Sequence, residues 1–467
     1  MKSLSVCALF LILAAVVSAQ QNVPSVFLPQ SQNTFLGGLI SEKATDQEIG
    51  LTLKDAIARG LKYNLGLSLS AQQARAARGT RLEALSDLLP HLHGSVSDSV
   101  EQINIAAFGF PPSPQIPGII GPFTVFDVRA YLTQTILDLN QIRKLNAETQ
   151  NEKAEQFRYQ DAREIVVLIT ANLYLETDTA TSRVEAIQSQ VKTAEAIYNQ
   201  ANDMKKAGLI PGIDLLRSQV ELESRRQELI GAQVDLEKQK LTLARAIGLP
   251  LAQKFRLTDP IVYTPLPSMT LDEALQHAFT TRADYLSSQA LVRAAEYAKS
   301  AISGKYIPSL SLQADYGDLG VTPTNSHGTF SVSAALRIPI WEGGKTQAEN
   351  LKAEALLEQR KAEFEDLHAQ IEQQVRTSFL DLNATGEQVE VAQRGLSLAQ
   401  ETLQQSQDRF AAGVANNVEV VQAQEDLARA HENYISALFA NSMAKAFLAR
   451  AMGGAEETAQ KLLGGAQ

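Results

Sequence analysis

Apolar positions recur with a helical period from Leu51 to Asp87, in a stretch rich in Ala, Leu, Gln and Arg. Pro90 stops it, because proline lacks an N–H and clashes with the preceding turn. Beyond it the period falls to two. His91, His93, Ser95, Ser97 and Ser99 share one face, and Leu92, Val96 and Val100 the other. Pro111, Pro112, Pro114, Pro117 and Pro122, with Gly118 and Gly121, then exclude both helix and central strand. Alternation resumes with Phe126, Val128, Ala130 and Leu132 against Asp127, Arg129 and Thr133. A second pair of runs is cleaner: Leu310, Leu312, Ala314 and Tyr316 alternate with Ser311, Gln313 and Asp315. After the turn-forming stretch 320–328, Phe330, Val332, Ala334, Leu336, Ile338 and Ile340 alternate with Ser331, Ser333 and Arg337. The runs predict two hairpins, with strands at about 91–100, 124–136, 309–317 and 329–341.

Each hairpin is followed by a long helical run, Asn140 to Asn202 and Gly343 to Phe410, a rod of roughly 90–100 Å at 1.5 Å per residue. Val389, Leu396, Leu403 and Phe410 form heptads in the second, and Val184, Val191 and Tyr198 in the first. Leu215, Leu222, Leu229, Leu236 and Leu243 continue the pattern after Gly208. Such repeats pair helices antiparallel about turns at Gly208 and Gly413, where a glycine gives an unhindered positive φ.

The chain also says the same thing twice. Thr52-Leu53-Lys54-Asp55-Ala56 returns as Thr270-Leu271-Asp272-Glu273-Ala274, and Ala207-Gly208-Leu209 returns as Ala412-Gly413-Val414. A duplication of roughly 200 residues is far longer than a solenoid unit. It divides the chain into an arm (20–50), a first repeat (51–250), a linker (251–268), a second repeat (269–452) and a tail (453–467). Each repeat reads helix, β-hairpin, long helix, helix. With its two short helices stacked against the long one, the whole chain supplies four helical columns and four strands.

Hairpins with one oily and one wet face suit a half-buried strand pair in a soluble domain. Helices with narrow apolar stripes leave little to cover four such strands, however. Alternating strands of about ten residues are also the signature of a membrane barrel whose apolar side meets lipid. Four strands cannot close a barrel, since the smallest have about eight, so several chains must share one. A three-fold ring would give twelve strands and twelve columns. The expected class is mainly α with a membrane β-barrel.

The N-terminus changes the compartment. Lys2, an apolar run from Val6 to Val17 and the small-residue site Val17-Ser18-Ala19 read as a signal peptide over 1–19. That run is short of the about 20 residues a membrane-spanning helix needs. The single cysteine, Cys7, lies inside it, so a cleaved chain has no thiol chemistry, disulfide or cysteine metal site. The formal charge is −10 and falls by one more when Lys2 leaves. An acidic exported chain is a poor partner for nucleic acid. No later segment is apolar for long enough to cross a bilayer as a helix, so any membrane entry must be by strands.

At this point the residues resemble the TolC-like outer-membrane efflux proteins over nearly all of the mature sequence. The matching pieces are the Thr-Leu-x-x-Ala openings and the strand-to-helix junction Pro339-Ile340-Trp341-Glu342-Gly343-Gly344. They also include Arg409-Phe410-Ala411-Ala412-Gly413-Val414 with Glu419-Val420-Val421-Gln422. Weaker versions stand at Leu137-Asp138-Leu139-Asn140 and Ala207-Gly208-Leu209. The resemblance implies a homotrimer with a twelve-stranded barrel among outer-membrane lipid and a twelve-column α-helical tunnel through the periplasm. It implies a closed periplasmic tip that docks a periplasmic adaptor (membrane-fusion) protein and, through it, an inner-membrane transporter. Efflux and type I secretion both use such a passive exit duct. An exported coiled-coil structural or adaptor protein without a pore is the rival, and it has no reason to carry oily-outside strands.

No catalytic constellation occurs: neither a phosphate-binding Gly-rich loop, nor His-Glu-x-x-His, nor Gly-x-Ser-x-Gly. The chain reads as a non-enzyme without cofactor. His91 and His93 share a face as metal ligands sometimes do, but as two polar lumen residues they need no metal. Trp341 fits an interfacial belt at the strand-to-helix junction, beside Gly343 and Gly344. By position, the resemblance puts the gate at Asp214 and Glu419, two carboxylate rings in a trimer and a cation-favouring arrangement. Its second acidic position in the second half is Gln422, and its arginine latch aligns with Ala415. Asp214 also suits a helix N-cap, and Glu419 an ordinary solvated face. Gly208, Gly413 and Phe410 mark the turns that an adaptor would recognise.

Overall fold

The structure, a computed structural model, describes residues 34–40, 43–109, 117–259, 263, 269–415 and 417–456. The signal peptide, the arm before residue 34, half of the proline-rich stretch 111–122, part of the linker and the end of the tail lie outside these residues. The other half of that stretch, expected as loop, enters a strand at Ile119 that includes Pro122. The opening motif is a helix cap. Thr52 Oγ accepts from the N–H of Asp55 at 3.0 Å, starting α1 (Leu53–Tyr63). Thr270 does the same for α5 (Leu271–Thr281), where Glu273 bonds back to complete a capping box. The alanine of each motif, Ala56 and Ala274, is fully buried, each in an apolar core.

The single helix expected over 51–87 is two, because the chain turns extended at Asn64. Asn64 Oδ1 accepts from Leu67 N to cap α2 (Leu65–Ser86), and its Nδ2 donates to Phe35 O at 2.6 Å. At the corresponding place Arg282 separates α5 from α6 (Ala283–Gly304). The arm also contributes structure that its composition hides. Its last residues form β1 (Ile49–Leu51), parallel to β4 (Phe255–Leu257) in the linker.

The hairpin strands are β2 (His91–Asn104), β3 (Ile119–Leu137), β5 (Ser309–Thr322) and β6 (Asn325–Arg337). They make one antiparallel sheet in the order β2-β3-β5-β6, so the seam β3–β5 joins the repeats and β2 and β6 are open edges. Register settles the faces. Leu92, Leu132, Ala314 and Val332 lie in one row, and Gly94, Ala130, Tyr316 and Phe330 in another on the same side. His93, Tyr131, Asp315 and Ser331 form a row on the opposite side. On the oily side Val96 and Phe330 are 73% and 76% exposed. The last strand ends four residues before the expected 341, since Pro339 has no N–H to continue a ladder. Gly343 and Gly344, with φ of 62° and 81°, then turn the chain into its second long helix.

The long helices are α3 (Leu139–Lys206) and α7 (Lys345–Ala411), both about 100 Å long. After each comes a shorter one, α4 (Gly212–Ala246) and α8 (Asn417–Met452). α3 packs against α2 and α4 on one flank and against α6 and α8 on the other, and α7 packs against α6 and α8. The columns therefore run α2/α4, α3, α6/α8, α7, the same order as the strands. Two apolar cores lie at the waist, one around Ile57, Tyr174 and Leu243, the other around Ile371, Val375 and Leu448.

Candidate functional site

The two turns at the far end of the helices are built alike. Gly208 (φ 74°) and Gly413 (φ 71°) follow α3 and α7 in the left-handed region. Leu209 N donates to Met204 O at 2.9 Å and Val414 N to Arg409 O at 3.0 Å, closing the last carbonyls of each helix. A Cβ at either glycine would meet nothing within 4 Å, so backbone conformation and not space demands glycine. Phe410 differs from the expectation of a partner-facing residue. It is 3% exposed, packed with Ile197, Leu403, Val420 and Ala423, and holds the turn from beneath. The large apolar side chains directly after the glycines, Leu209 and Val414, are exposed.

Of the gate candidates, Asp214 is not the helix cap. Pro211 holds that position without a side-chain bond. Asp214 lies in the first turn of α4, where a carboxylate suits the helix dipole, and its Oδ1 is 3.2 Å from Arg217 Nη1. Its carbonyl accepts from Asn417 Nδ2 at 2.9 Å, across 203 positions of sequence. Asn417 is fully buried at the start of α8, so this amide ties the two helical hairpins together. Glu419 pairs with Arg409 Nε at 3.0 Å, both half exposed. Gln422 lies exposed on the surface and Ala415 is half-buried. Arg409 and Asn417 escaped the sequence reading. Arg409 stands in the quoted turn motif ten residues before Glu419, and a turn of that size is the signal that could have paired them.

At the waist, charges from distant segments converge. Arg450 on α8 reaches two carboxylates of α3, Asp161 and Glu164, the latter at 3.1 Å. Beside them Arg282 grips Asp284 with Nε and Nη2, at 3.0 and 2.6 Å, and donates through Nη1 to Gln374 of α7 and the carbonyl of Ala451. Burial pushes Glu164 up to about 7 despite Arg450, and raises Asp161 as well. At Asp284 burial acts in the same sense, but the Arg282 fork and Arg450 win and its carboxyl stays below the usual range. None of this was expected, because nothing in a single sequence pairs residues 92 to 289 positions apart.

His91 and His93 lie together on the polar face of the sheet. His91 Nε2 is 2.8 Å from the carbonyl of Ser86, and His93 stacks on Tyr131 at 5.0 Å. Among the described residues no group of three or more His, Cys, Asp or Glu is placed to hold a metal ion. Among the same residues no helix is long and apolar enough to cross a membrane. Trp341, 85% exposed, stands at the strand-to-helix junction.

The model of the family described as outer membrane efflux protein matches residues 57–249 and 274–454. The chain belongs to the outer membrane efflux protein family. Among its relatives is the probable efflux pump outer membrane protein TtgC of Pseudomonas putida, 23% identical over 87% of this chain and 84% of that one. The cation efflux system protein CusC of Escherichia coli is 20% identical over 97% of this chain and 99% of its own length. The fold is shared with the Campylobacter jejuni CmeC outer membrane channel, at a TM-score of 0.74 and 18% identity, covering 94% of both chains. This is a family of outer-membrane channel proteins, and its place is the outer membrane.

Proposed function

We propose that three copies of this chain close into one channel, the exit duct of a tripartite efflux or type I secretion system. The observation that carries the reading is the four-stranded sheet with one oily face, one polar face and two unpaired edges, β2 and β6. Edge pairing between neighbours removes those edges without burying polar backbone in lipid. Two copies would give eight strands, an interior that side chains fill; three give twelve and a passage. Closed rotational symmetry then requires the helical columns to meet in the same order.

The outer columns are prepared for that contact. Away from α3, α4 exposes Ile213, Leu216, Val220, Ile230, Val234 and Leu241 along one stripe. Away from α8, α7 exposes Leu351, Leu380, Val391 and Leu398. These stripes bury each other when the ring closes, and the polar face of the sheet lines the lumen. The turn between β5 and β6 faces outside the cell, and Trp341 sits at headgroup level. Asp214 and Glu419, each steadied by an arginine, ring the far tip. Leu209 and Val414 present the apolar contacts that a periplasmic adaptor takes, with an inner-membrane transporter supplying the energy.

Native mass and membrane fraction after detergent extraction test this directly. A species of about three chains from the outer membrane is expected. A soluble monomer or dimer in the periplasm would sink the channel and favour a coiled-coil protein without a pore.

A further inference from the structure

Away from its ends, the polar face of the sheet carries one charged assembly. Arg129 on β3 lies opposite Gly317 on β5, which in turn lies opposite Thr329 on β6. A Cβ on Gly317 would stand 2.8 Å from the Cβ of Arg129, so only glycine lets the guanidinium cross β5. Arg129 Nη2 donates to Thr329 Oγ1 at 2.9 Å, Nη1 donates to the carboxylate of Asp315, and Nε is 3.3 Å from Asp127 Oδ1. The three charged side chains are 12%, 20% and 24% exposed for Arg129, Asp315 and Asp127. Two carboxylates against one guanidinium leave one negative charge per chain. Around it the face offers serines and the imidazoles of His91, His93 and His327, with Glu101 and Arg337 at the strand ends.

We propose that this assembly is the charge-selective element of the barrel, three excess carboxylates at one height of the lumen that favour cations over anions. The proposal rests on the shared-barrel reading above. Fixed charge facing water acts over a Debye length, about 8 Å at 0.15 M salt and about 30 Å at 0.01 M. The cation preference is therefore stronger in dilute salt. A purely mechanical role, a staple holding three strands in register, makes a different prediction. Any change that loosens a staple moves the pore in one direction, whereas charge changes of opposite sign move selectivity in opposite directions.

The test is the reversal potential of the purified trimer in planar lipid bilayers under a KCl gradient. Each variant is made in a chain that also carries Arg409→Ala and Glu419→Ala, so that the tip pair adds no charge of its own. Asp127→Asn leaves the bonds of Arg129 to Asp315 and Thr329 and lowers the K⁺ to Cl⁻ permeability ratio about twofold at 0.1 M. Arg129→Gln leaves two uncompensated carboxylates and raises it. Arg129→Lys keeps the charge, loses the fork and leaves the ratio unchanged. Opposite shifts that grow at 0.01 M salt support the proposal. Shifts of the same sign, or none, overturn it and leave the assembly a staple. A chain that extracts as a monomer removes the barrel reading and this proposal with it.

Discussion

At the waist, α3 of the first repeat is bound to α8 of the second by the buried guanidinium of Arg450, and to α6 by the buried Ser287 hydroxyl on the Ala154 carbonyl. At the tip the same repeats share one amide bond, Asn417 to the Asp214 carbonyl, and a small cluster around Phe410. The ion pairs at the tip, Arg217–Asp214 and Arg409–Glu419, stay within a repeat, and each has a half-exposed arginine. Exposed pairs of this kind contribute little, typically under about 1 kcal/mol. The difference teaches where the molecule can move. For the proposed tunnel, anchored at its middle and tied lightly at its end, the expected opening is a splaying of the tip.

The comparison breaks most visibly at Arg450. Arg450→Met leaves Asp161 and Glu164 buried without their cation, at a cost of about 3–5 kcal/mol. Urea or thermal unfolding should register it, and Glu164→Gln with Asp161→Asn in the same chain should recover most of the loss.

The next effect is with pH. Glu164 has a folded pKa of about 7 against an ordinary 4.5, so its neutral form is the one the waist prefers. Its contribution is fully present below about pH 4.5 and is lost as pH rises through 7, a span of about 3 kcal/mol. Asp161 adds in the same direction, whereas the lowered Asp284 opposes it at the acid end. Between pH 5.5 and 8 the waist should weaken as pH rises, measured by amide exchange in α3. Glu164→Gln should flatten that slope, and an unchanged slope would remove Glu164 as its origin.

The smallest effect sharpens the tip. Asn417→Ala deletes a bond worth about 1 kcal/mol, but it also removes a buried Oδ1 that has no partner among the described residues. These nearly cancel, so global stability should change by less than about 1 kcal/mol. Spin labels at Leu209 and Val414 should nonetheless report a wider distance between the hairpins. An unchanged distance would show that the Phe410 cluster alone holds them.

Much of this was legible before any coordinates. Period-two runs gave both hairpins and the correct oily face, since side-chain alternation is fixed by the pleat. The glycine turns and the threonine-led helix openings were visible because they depend on short local motifs. The kinks at Asn64 and Arg282 were not, because helical periodicity continues across them and the break is set by packing on the arm and on α7. Pro339 carried the signal for an early strand end, and the alternation of Ile338 and Ile340 obscured it. Phe410 was misplaced for a related reason: a residue beside a turn looks exposed until a neighbouring helix covers it. The waist charges needed the fold itself, as their partners lie on different helices.

The seam between β3 and β5 has a further meaning for how such a molecule came to be. A ring assembled from single repeats would present the same junction at every position, and any side chain placed there would be copied six times. Fusion of two repeats guarantees one junction covalently and releases it from resembling the other. Arg129, Asp315 and Gly317 belong to that internal seam, while β2 and β6 carry serine, threonine and histidine to their outer edges. Duplication thus halves the copy number of a mutation inside the pore. In the proposed ring of three chains, a scaffold with six-fold ancestry gains chemistry that repeats only three times.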